Sequence, residues 1–439
     1  MSSAMTAFEK IKDKVRIFAF QPASARPLAA IRIGVGLILL LQAYMTRSAI
    51  WDFFSSMGLL QGELARALSN PTVPQLTWLR DALAPLGISE SWCIATVCLT
   101  YVISLLFLTC GFFTRAAAVF SWFLHWVLMN SADSTNYGID IYAHVFLFYM
   151  IWAPVGDAYS VDALLRGQID RVSSSARLGL RVMQIQLCIA YLASGIDKSM
   201  GIQWRTGDVL FRSVSLPLYR QFDMGWLANW PQLAFLGSWS TLILETGYCV
   251  FIWPRTTRKF WILGIVGLHL GIVFALGLTL FGLIMCLLTI SAFAISAEVR
   301  SYQGVEKSDQ ESILLFDGVC HACNAAVNLL LQVDRKNQFL FLPLQSERAR
   351  DLLREHGVVD NLSTIALITP TSAFTASSAV FEILLRLGGL WKLVAVFRFL
   401  PVKLTDEIYF LFARNRYRLF GQLNSCRVPN AEAVSRFLN

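Results

Sequence analysis

The chain has 439 residues, 56% of them hydrophobic and 15% charged, with a mean hydropathy of +0.55 and a net charge of +8. That balance is too apolar for an ordinary soluble protein, and it excludes the collagen-like, disordered and purely secreted classes. Nucleic acid is set aside as a partner, because the positive excess reads as membrane-surface bias once the loops are counted.

Residues 1–300 carry 22 Lys/Arg and 16 Asp/Glu, whereas the much shorter stretch 301–439 carries 15 and 13. A polytopic α-helical membrane domain over residues 1–300 is therefore expected, then a linker at 301–311 and a soluble domain at 312–439. Lys10, Lys12, Lys14 and Arg16 precede an apolar run with no small-residue cleavage pattern after it, which predicts a retained first span. Apolar segments that cross or nearly cross a bilayer lie near residues 28–45, 92–113, 116–130, 141–154, 178–194, 233–253, 260–277 and 279–296, about eight spans, the fourth short. With the N-terminus in the cytoplasm, the inside segments 1–26, 113–115, 155–181 and 254–259 hold 13 Lys/Arg in 62 residues. The opposite segments hold 7 in 97. The positive-inside rule then places both termini in the cytoplasm of a multi-pass protein of the plasma or inner membrane, with membrane lipids as its surroundings.

Four ionisable side chains in this part are expensive to place in lipid: His144, Lys198, Glu245 and His269. Each charged group near the bilayer centre costs about 2.5–3.5 kcal/mol, so it must face the bundle interior, a cavity or a partner. Two readings stay open. Glu245 with Lys198 or His269 is a structural pair, or these residues and His144 form a cofactor site. Lys198 lies just past the fifth span, where it either snorkels or pairs with Asp197, or is desolvated into a general base.

The stretch from Tyr191 through Gly195, Lys198 and Trp204 resembles the signature of the vitamin K-dependent gamma-glutamyl carboxylase and its HTTM relatives. Ser160-Val161-Asp162, after the span that holds His144, and His269 with Phe281 and Met285 are similar to further parts of that family's pattern. The resemblance implies that Lys198 deprotonates a hydroquinone, and it brings a quinone or hydroquinone into consideration as a cofactor. It does not extend to the carboxylase's large lumenal domain, so carboxylation of a propeptide-tagged substrate is not implied.

Of nine cysteines, Cys93, Cys98, Cys110, Cys188, Cys249 and Cys286 lie in or beside apolar runs and read as small hydrophobes. Cys320, Cys323 and Cys426 fall in the soluble part. There Ser312–Phe316 reads as a buried strand, Asp317-Gly318 as a turn, and Cys320-His321-Ala322-Cys323 as the start of an apolar helix. Phe339–Leu344 and Thr364–Thr369 read as further strands, residues 346–356 as a helix, and Ser378 leads into another helix. Alternating strands and helices at this size predict a small α/β layer of thioredoxin-like organisation. A C-x-x-C at a helix start makes a reactive dithiol: the helix N-terminus favours the thiolate of Cys320, a protonated His321 would favour it further, and Cys323 resolves the mixed disulfide. Zinc is the competing reading, with only Cys426, His321 and His356 as further ligands and no second paired spacing; no metal is assigned. Arg414, Arg416 and Arg418 read as a solvated face.

Asp317-Gly318-Val319-Cys320-His321-Ala322-Cys323 resembles the signature of the DCC thiol-disulfide oxidoreductases. Ser378-Ala379, Leu400-Pro401, Tyr409, Asn415-Arg416-Tyr417-Arg418 and Gly421 are similar to the rest of that family's pattern. The resemblance implies a protein-disulfide reductase type of activity with a thiol or disulfide partner. Together the two halves predict a membrane-bound oxidoreductase. The alternative is a non-catalytic membrane factor for peptide maturation or export whose C-x-x-C is regulatory.

Overall fold

The computed structural model describes residues 2–58, 72–132, 135–166, 170–298, 312–334, 337–358, 364–370, 372–389, 391, 401–423 and 434–438. The linker 301–311, Leu400 and Cys426 lie outside the described residues. The chain divides into two compact units, residues 1–160 with 170–298, and residues 161–169 with 299–439.

The first unit is built of helices: α1 (Ser2–Phe20), α2 (Arg26–Thr46), α3 (Glu90–Cys110), α4 (Thr114–Ser131), α5 (Gly138–Trp152), α6 (Ser174–Met200), α7 (Pro231–Phe251), α8 (Arg255–Leu276) and α9 (Thr279–Phe293), with shorter turns between them. Each of the eight apolar segments of the sequence falls on one of α2 to α9. Four of these, α2, α3, α6 and α8, are long and apolar enough to cross a membrane. Helices α5 and α9 are apolar but have 15 residues each. At 1.5 Å per residue they reach only about 22 Å, short of a hydrocarbon core of about 30 Å. Helix length therefore does not carry an eight-span count.

Close approach decides how these helices pack. A Cβ at Gly195 of α6 would sit 2.8 Å from the Thr246 backbone N and 3.1 Å from the Glu245 Cβ of α7, so only glycine permits this contact. Arg32 of α2 is fully buried and donates to the carbonyls of Leu108 (2.8 Å), Thr109 (3.0 Å) and Tyr159 (2.6 Å). Two of these carbonyls end α3, where a cation complements the helix dipole. The sequence reading missed this buried arginine although it lies inside the first apolar segment, 28–45, where an ionisable side chain is expensive to place.

The second unit holds β-strands Ser312–Phe316, Phe339–Pro343, Ala366–Ile368 and Ala373–Thr375, here β1 to β4. They alternate with α10 (His321–Val333), α11 (Glu347–Glu355), α12 (Ala376–Leu387) and α13 (Val402–Phe420). The order is β1-α10-β2-α11-β3-β4-α12-α13, and the short helix Val161–Leu165 packs on α10. The sheet order is β2-β1-β3-β4: β1 and β2 are parallel with Ser312 opposite Phe339, and β3 runs antiparallel to both β1 and β4. Strands β1 to β3 are almost wholly apolar because both sheet faces are covered there, whereas the edge strand β4 ends at the exposed Thr375. Leu314, Phe339, Phe341 and Leu367 face Val327, Leu331 and Ile383, while Leu315, Leu342 and Ile368 face Ala349 and Leu353. The hairpin strand β4 and helix α13 were not among the predicted elements, and the third strand is shorter than its apolar run.

Candidate active site

Strand β1 ends at Phe316, and Asp317-Gly318-Val319 turns the chain into α10, with Cys320 at its N-cap and Cys323 in its first turn. Asn324 locks that turn: its Nδ2 donates to the carbonyls of Gly318 (2.8 Å) and Cys320 (2.9 Å). The Asp317 carboxylate and both sulfurs lie within 4.8 Å of one another. One carboxylate oxygen accepts from Gln345 Nε2 (2.8 Å) and the Val319 N–H (3.2 Å). The other accepts from Arg416 Nη2 (2.6 Å) and the Tyr417 hydroxyl. The Asp317 and Arg416 side chains are 1% and 3% exposed, so α13 delivers a buried ion pair to the underside of the dithiol. Tyr409, about two turns of α13 earlier, accepts the Ile365 N–H at 2.9 Å.

The two thiols are driven apart. Cys320 is lowered from 9.0 to about 6, first because the Cys323 S–H donates to it, a gain that exceeds the opposing effect of burial; the charge of Arg416 and backbone N–H groups at the helix start add to it. Cys323 is pushed up by that same hydrogen bond, by burial and by the charge on Cys320. For Arg416, burial works against the charged form but is outweighed by the Tyr417 hydrogen bond and by the electrostatics of the dithiol and of the Asp317 carboxylate, so it is raised. One proton is thus shared between two sulfurs, with the thiolate on Cys320.

Access is the second feature. Cys320 is fully buried and Cys323 half-buried. Gln422 forms a β-bridge with Cys320, and the Leu423 N–H donates to the Val319 carbonyl at 2.8 Å. Gly421, at φ +81°, adopts the left-handed conformation that turns the chain from α13 onto this bridge. A short extended segment therefore runs alongside the buried Cys320 backbone.

Two sequence expectations are corrected here. The cation acting on Cys320 is Arg416, while His321 lies beside Gly421 with a buried Nδ1. Arg414 and Arg418 are exposed as expected of a solvated face, but Arg416 is not. The signal was available in spacing: Thr405, Tyr409 and Arg416 share one helical face, and a buried Asp317 requires a partner. Asp317, Cys320 and Cys323 together offer three metal-ligand atoms. Both Asp317 oxygens already hold two donors each, and His356 is exposed at the end of α11, so among the described residues no fourth ligand joins this set; Cys426 lies outside them.

The sequence profile described as DCC1-like thiol-disulfide oxidoreductase matches residues 314–422. The chain is 35% identical over 127 residues to the protein YuxK of Bacillus subtilis, described as uncharacterized, covering 93% of that protein and 29% of this chain. The chain belongs to the DCC1-like family. It is also 34% identical over 132 residues to the chloroplastic DCC family protein At1g52590 of Arabidopsis thaliana, covering 77% of it and 30% of this chain. No solved structure matches. The DCC1-like profile encloses Asp317, Cys320, Cys323, Tyr409, Arg416, Tyr417 and Gln422.

The helical unit of this DCC1-like protein lies outside the profile. Lys198 Nζ donates to both Glu245 oxygens (2.7 and 3.0 Å) and to Ser194 Oγ, with the Trp204 ring at 5.5 Å. All three ammonium hydrogens are engaged, and the partner is Glu245 rather than Asp197. His269 shares a 2.9 Å hydrogen bond with the Tyr191 hydroxyl. His144 is elsewhere, stacked on Trp122 and His125. The three residues expected to hold a cofactor are thus split between two clusters. His125, overlooked in the sequence, contacts the Tyr101 hydroxyl (2.9 Å) and the Asp140 carbonyl (3.1 Å) beside a cavity of about 330 Å³.

Proposed function

We propose that the chain is a membrane-anchored thiol–disulfide oxidoreductase whose C-terminal unit is a thioredoxin-like domain. The observation that carries this reading is the asymmetric dithiol: a thiolate-biased Cys320 at a helix N-cap, a proton-bearing Cys323 one turn on, and Arg416 buried beneath both. The β1-α10-β2-α11-β3-β4-α12 order with a β2-β1-β3-β4 sheet supports the thioredoxin-like assignment, and the four long apolar helices support the anchor. Loop charge supports cytoplasmic termini.

The reaction balances as thiol–disulfide exchange. The Cys320 thiolate attacks one sulfur of a substrate disulfide; the substrate S–S bond breaks, a mixed disulfide forms, and one substrate thiolate leaves. Cys323 then gives up its proton to solvent and attacks Cys320 Sγ, closing the Cys320–Cys323 disulfide and releasing the second substrate thiolate. Two electrons pass from the dithiol to the substrate, and a thiol reductant restores the pair. Because Cys320 is fully buried, the chain around it must open for the first attack. The engaged Lys198 offers no support for a base, so no quinol step enters this reading.

Full-length protein in mild detergent, reduced and desalted, is mixed with an aromatic disulfide. The expected excess of wild type over Cys320→Ser is two thiolates per chain, with Cys323→Ser held as a mixed disulfide at Cys320 in the mass spectrum. Alkylation of Cys320 should have its midpoint near pH 6. Faster alkylation of Cys323, or equal thiolate release by Cys320→Ser, would sink the assignment.

A further inference from the structure

Four arginines of the helical unit converge on one cavity of about 250 Å³: Arg177 and Arg181 from the start of α6, Arg255 and Arg258 from the start of α8. Its remaining wall includes Trp253 and the chain after α9 through Glu298. Three of the four are half-buried, and only Arg255 is exposed. Like charges gathered this way repel, and repulsion is weakly screened away from bulk water.

The protein orders three of these guanidinium groups with uncharged acceptors. Arg177 Nε donates to the Gln21 carbonyl (3.0 Å) and Arg181 Nε to the Phe18 carbonyl (3.1 Å). Arg258 donates to the carbonyls of Ile252 (3.1 Å) and Trp253 (2.5 Å). Arg181 also donates to Gln184 Oε1 (2.8 Å), a side chain 5% exposed and itself fixed by its 2.6 Å bond to the Ala292 carbonyl. Carbonyls orient a guanidinium but carry no net charge. The single acid in the wall, Glu298, pairs with Arg255 and is 66% exposed. Among the described residues, the cavity therefore holds four cations against one solvated carboxylate. The start of α8, a 22-residue helix, adds unpaired N–H groups and the positive end of its dipole.

We infer that this cavity is a binding site for a phosphate group. Guanidinium forks match phosphate oxygens in pairs, and preset guanidinium groups beside a helix start form an anion cradle. The phosphate comes either from an anionic lipid headgroup or from a free phosphate compound. The site lies on α6 and α8, both long enough to span a bilayer, and Phe18 and Trp253 flank Arg181 at 4.1 and 5.3 Å.

The test uses the full chain, first in phosphatidylcholine nanodiscs with and without phosphatidylglycerol, then in detergent with inorganic phosphate. Retained lipid is read by native mass spectrometry and bound phosphate by the thermal transition. Arg177→Gln and Arg255→Gln should each lower the preference for phosphatidylglycerol about fivefold, corresponding to about 1 kcal/mol per arginine near a surface. Arg115→Gln, exposed on α4 and outside the cavity, should leave it unchanged. Arg258→Lys, which keeps charge but loses the fork, should fall between. If inorganic phosphate shifts the transition and the lipid is not retained, the site belongs to a free phosphate compound. Equal loss in Arg115→Gln and Arg255→Gln would reduce the effect to diffuse surface charge and overturn the site, as would indifference to both probes.

Discussion

Each unit buries one ion pair next to residues that carry chemistry, and the two pairs are built differently. Lys198 and Glu245 close on each other: the carboxylate takes two ammonium hydrogens, Ser194 takes the third, and Gly195 lets the two helices approach closely enough to form the pair. Asp317 and Arg416 remain open toward the dithiol. The carboxylate draws donors from the turn, from Gln345 and from α13, while the guanidinium acts on both sulfurs. A buried pair is thus a poor indicator of function on its own. What distinguishes the second is that its charge is directed at a group whose protonation state matters.

Removing one partner from each pair should sharpen that contrast most. Arg416→Met leaves Asp317 buried without its cation and should destabilise the second unit by about 3–5 kcal/mol, with a rise in the Cys320 alkylation midpoint. Arg436 provides the control. It is 2% exposed, paired with Asp334 at 2.5 Å, and bonded to the Phe339 carbonyl, far in sequence from the thiols. Arg436→Met should lower the thermal transition comparably while leaving the midpoint where it was. If both variants move the midpoint alike, the effect of Arg416 is general loosening rather than local charge.

The helical pair should respond as a packing device. Lys198→Met or Glu245→Leu alone should cost about 2 kcal/mol, less than the fully buried pair because Lys198 is 23% exposed. The double variant should recover most of that loss in a thermal melt, since no charge is then left alone. Neither single change should alter thiolate release from the dithiol. A double variant as unstable as the worse single one would show that the cluster does more than join α6 to α7.

Much of this was legible in the residues. The apolar strand runs, the turn at Asp317-Gly318 and the C-x-x-C at a helix start each depend on local chemistry, and the fold bears them out. The eight apolar segments all became helices, and the Lys198–Glu245 pair was one of the open readings. Contacts between distant chain segments were harder to read: Arg416 meets Asp317 across 99 positions, with only the shared face of Thr405, Tyr409 and Arg416 to point to it, and Gln422 reaches Cys320 because Gly421 turns the chain back. Arg32 and His125 stood out as ionisable side chains inside apolar segments and were passed over; what the residues alone did not give is their partners on other helices. The exposed flanks of Arg416, Arg414 and Arg418, made that stretch read as a solvated face.

The smallest expected effect carries a sign that separates two roles for Asp317. Cys320 has its folded value below the unfolded 9.0, so its thiolate stabilises the reduced protein fully above about pH 9, and that contribution is lost as pH falls through about 6. As a bare negative neighbour, Asp317 opposes thiolate formation, the direction in which it acts on Cys323; Asp317→Asn would then lower the Cys320 midpoint. As the anchor of Arg416, bonded at 2.6 Å, it favours the thiolate indirectly. Removing its charge would then release the guanidinium and raise the midpoint, by up to about one pH unit, or 1.4 kcal/mol. The saturated carboxylate, with two donors on each oxygen, favours the anchor, so a rise is expected in pH-graded alkylation of the full chain. Reduced wild type should correspondingly gain stability relative to Asp317→Asn as pH rises from about 6 to the variant's midpoint, up to about one unit higher, and hold that margin above it. A fall in the midpoint would reverse the assignment and make Asp317 the group that restrains, rather than supports, the Cys320 thiolate.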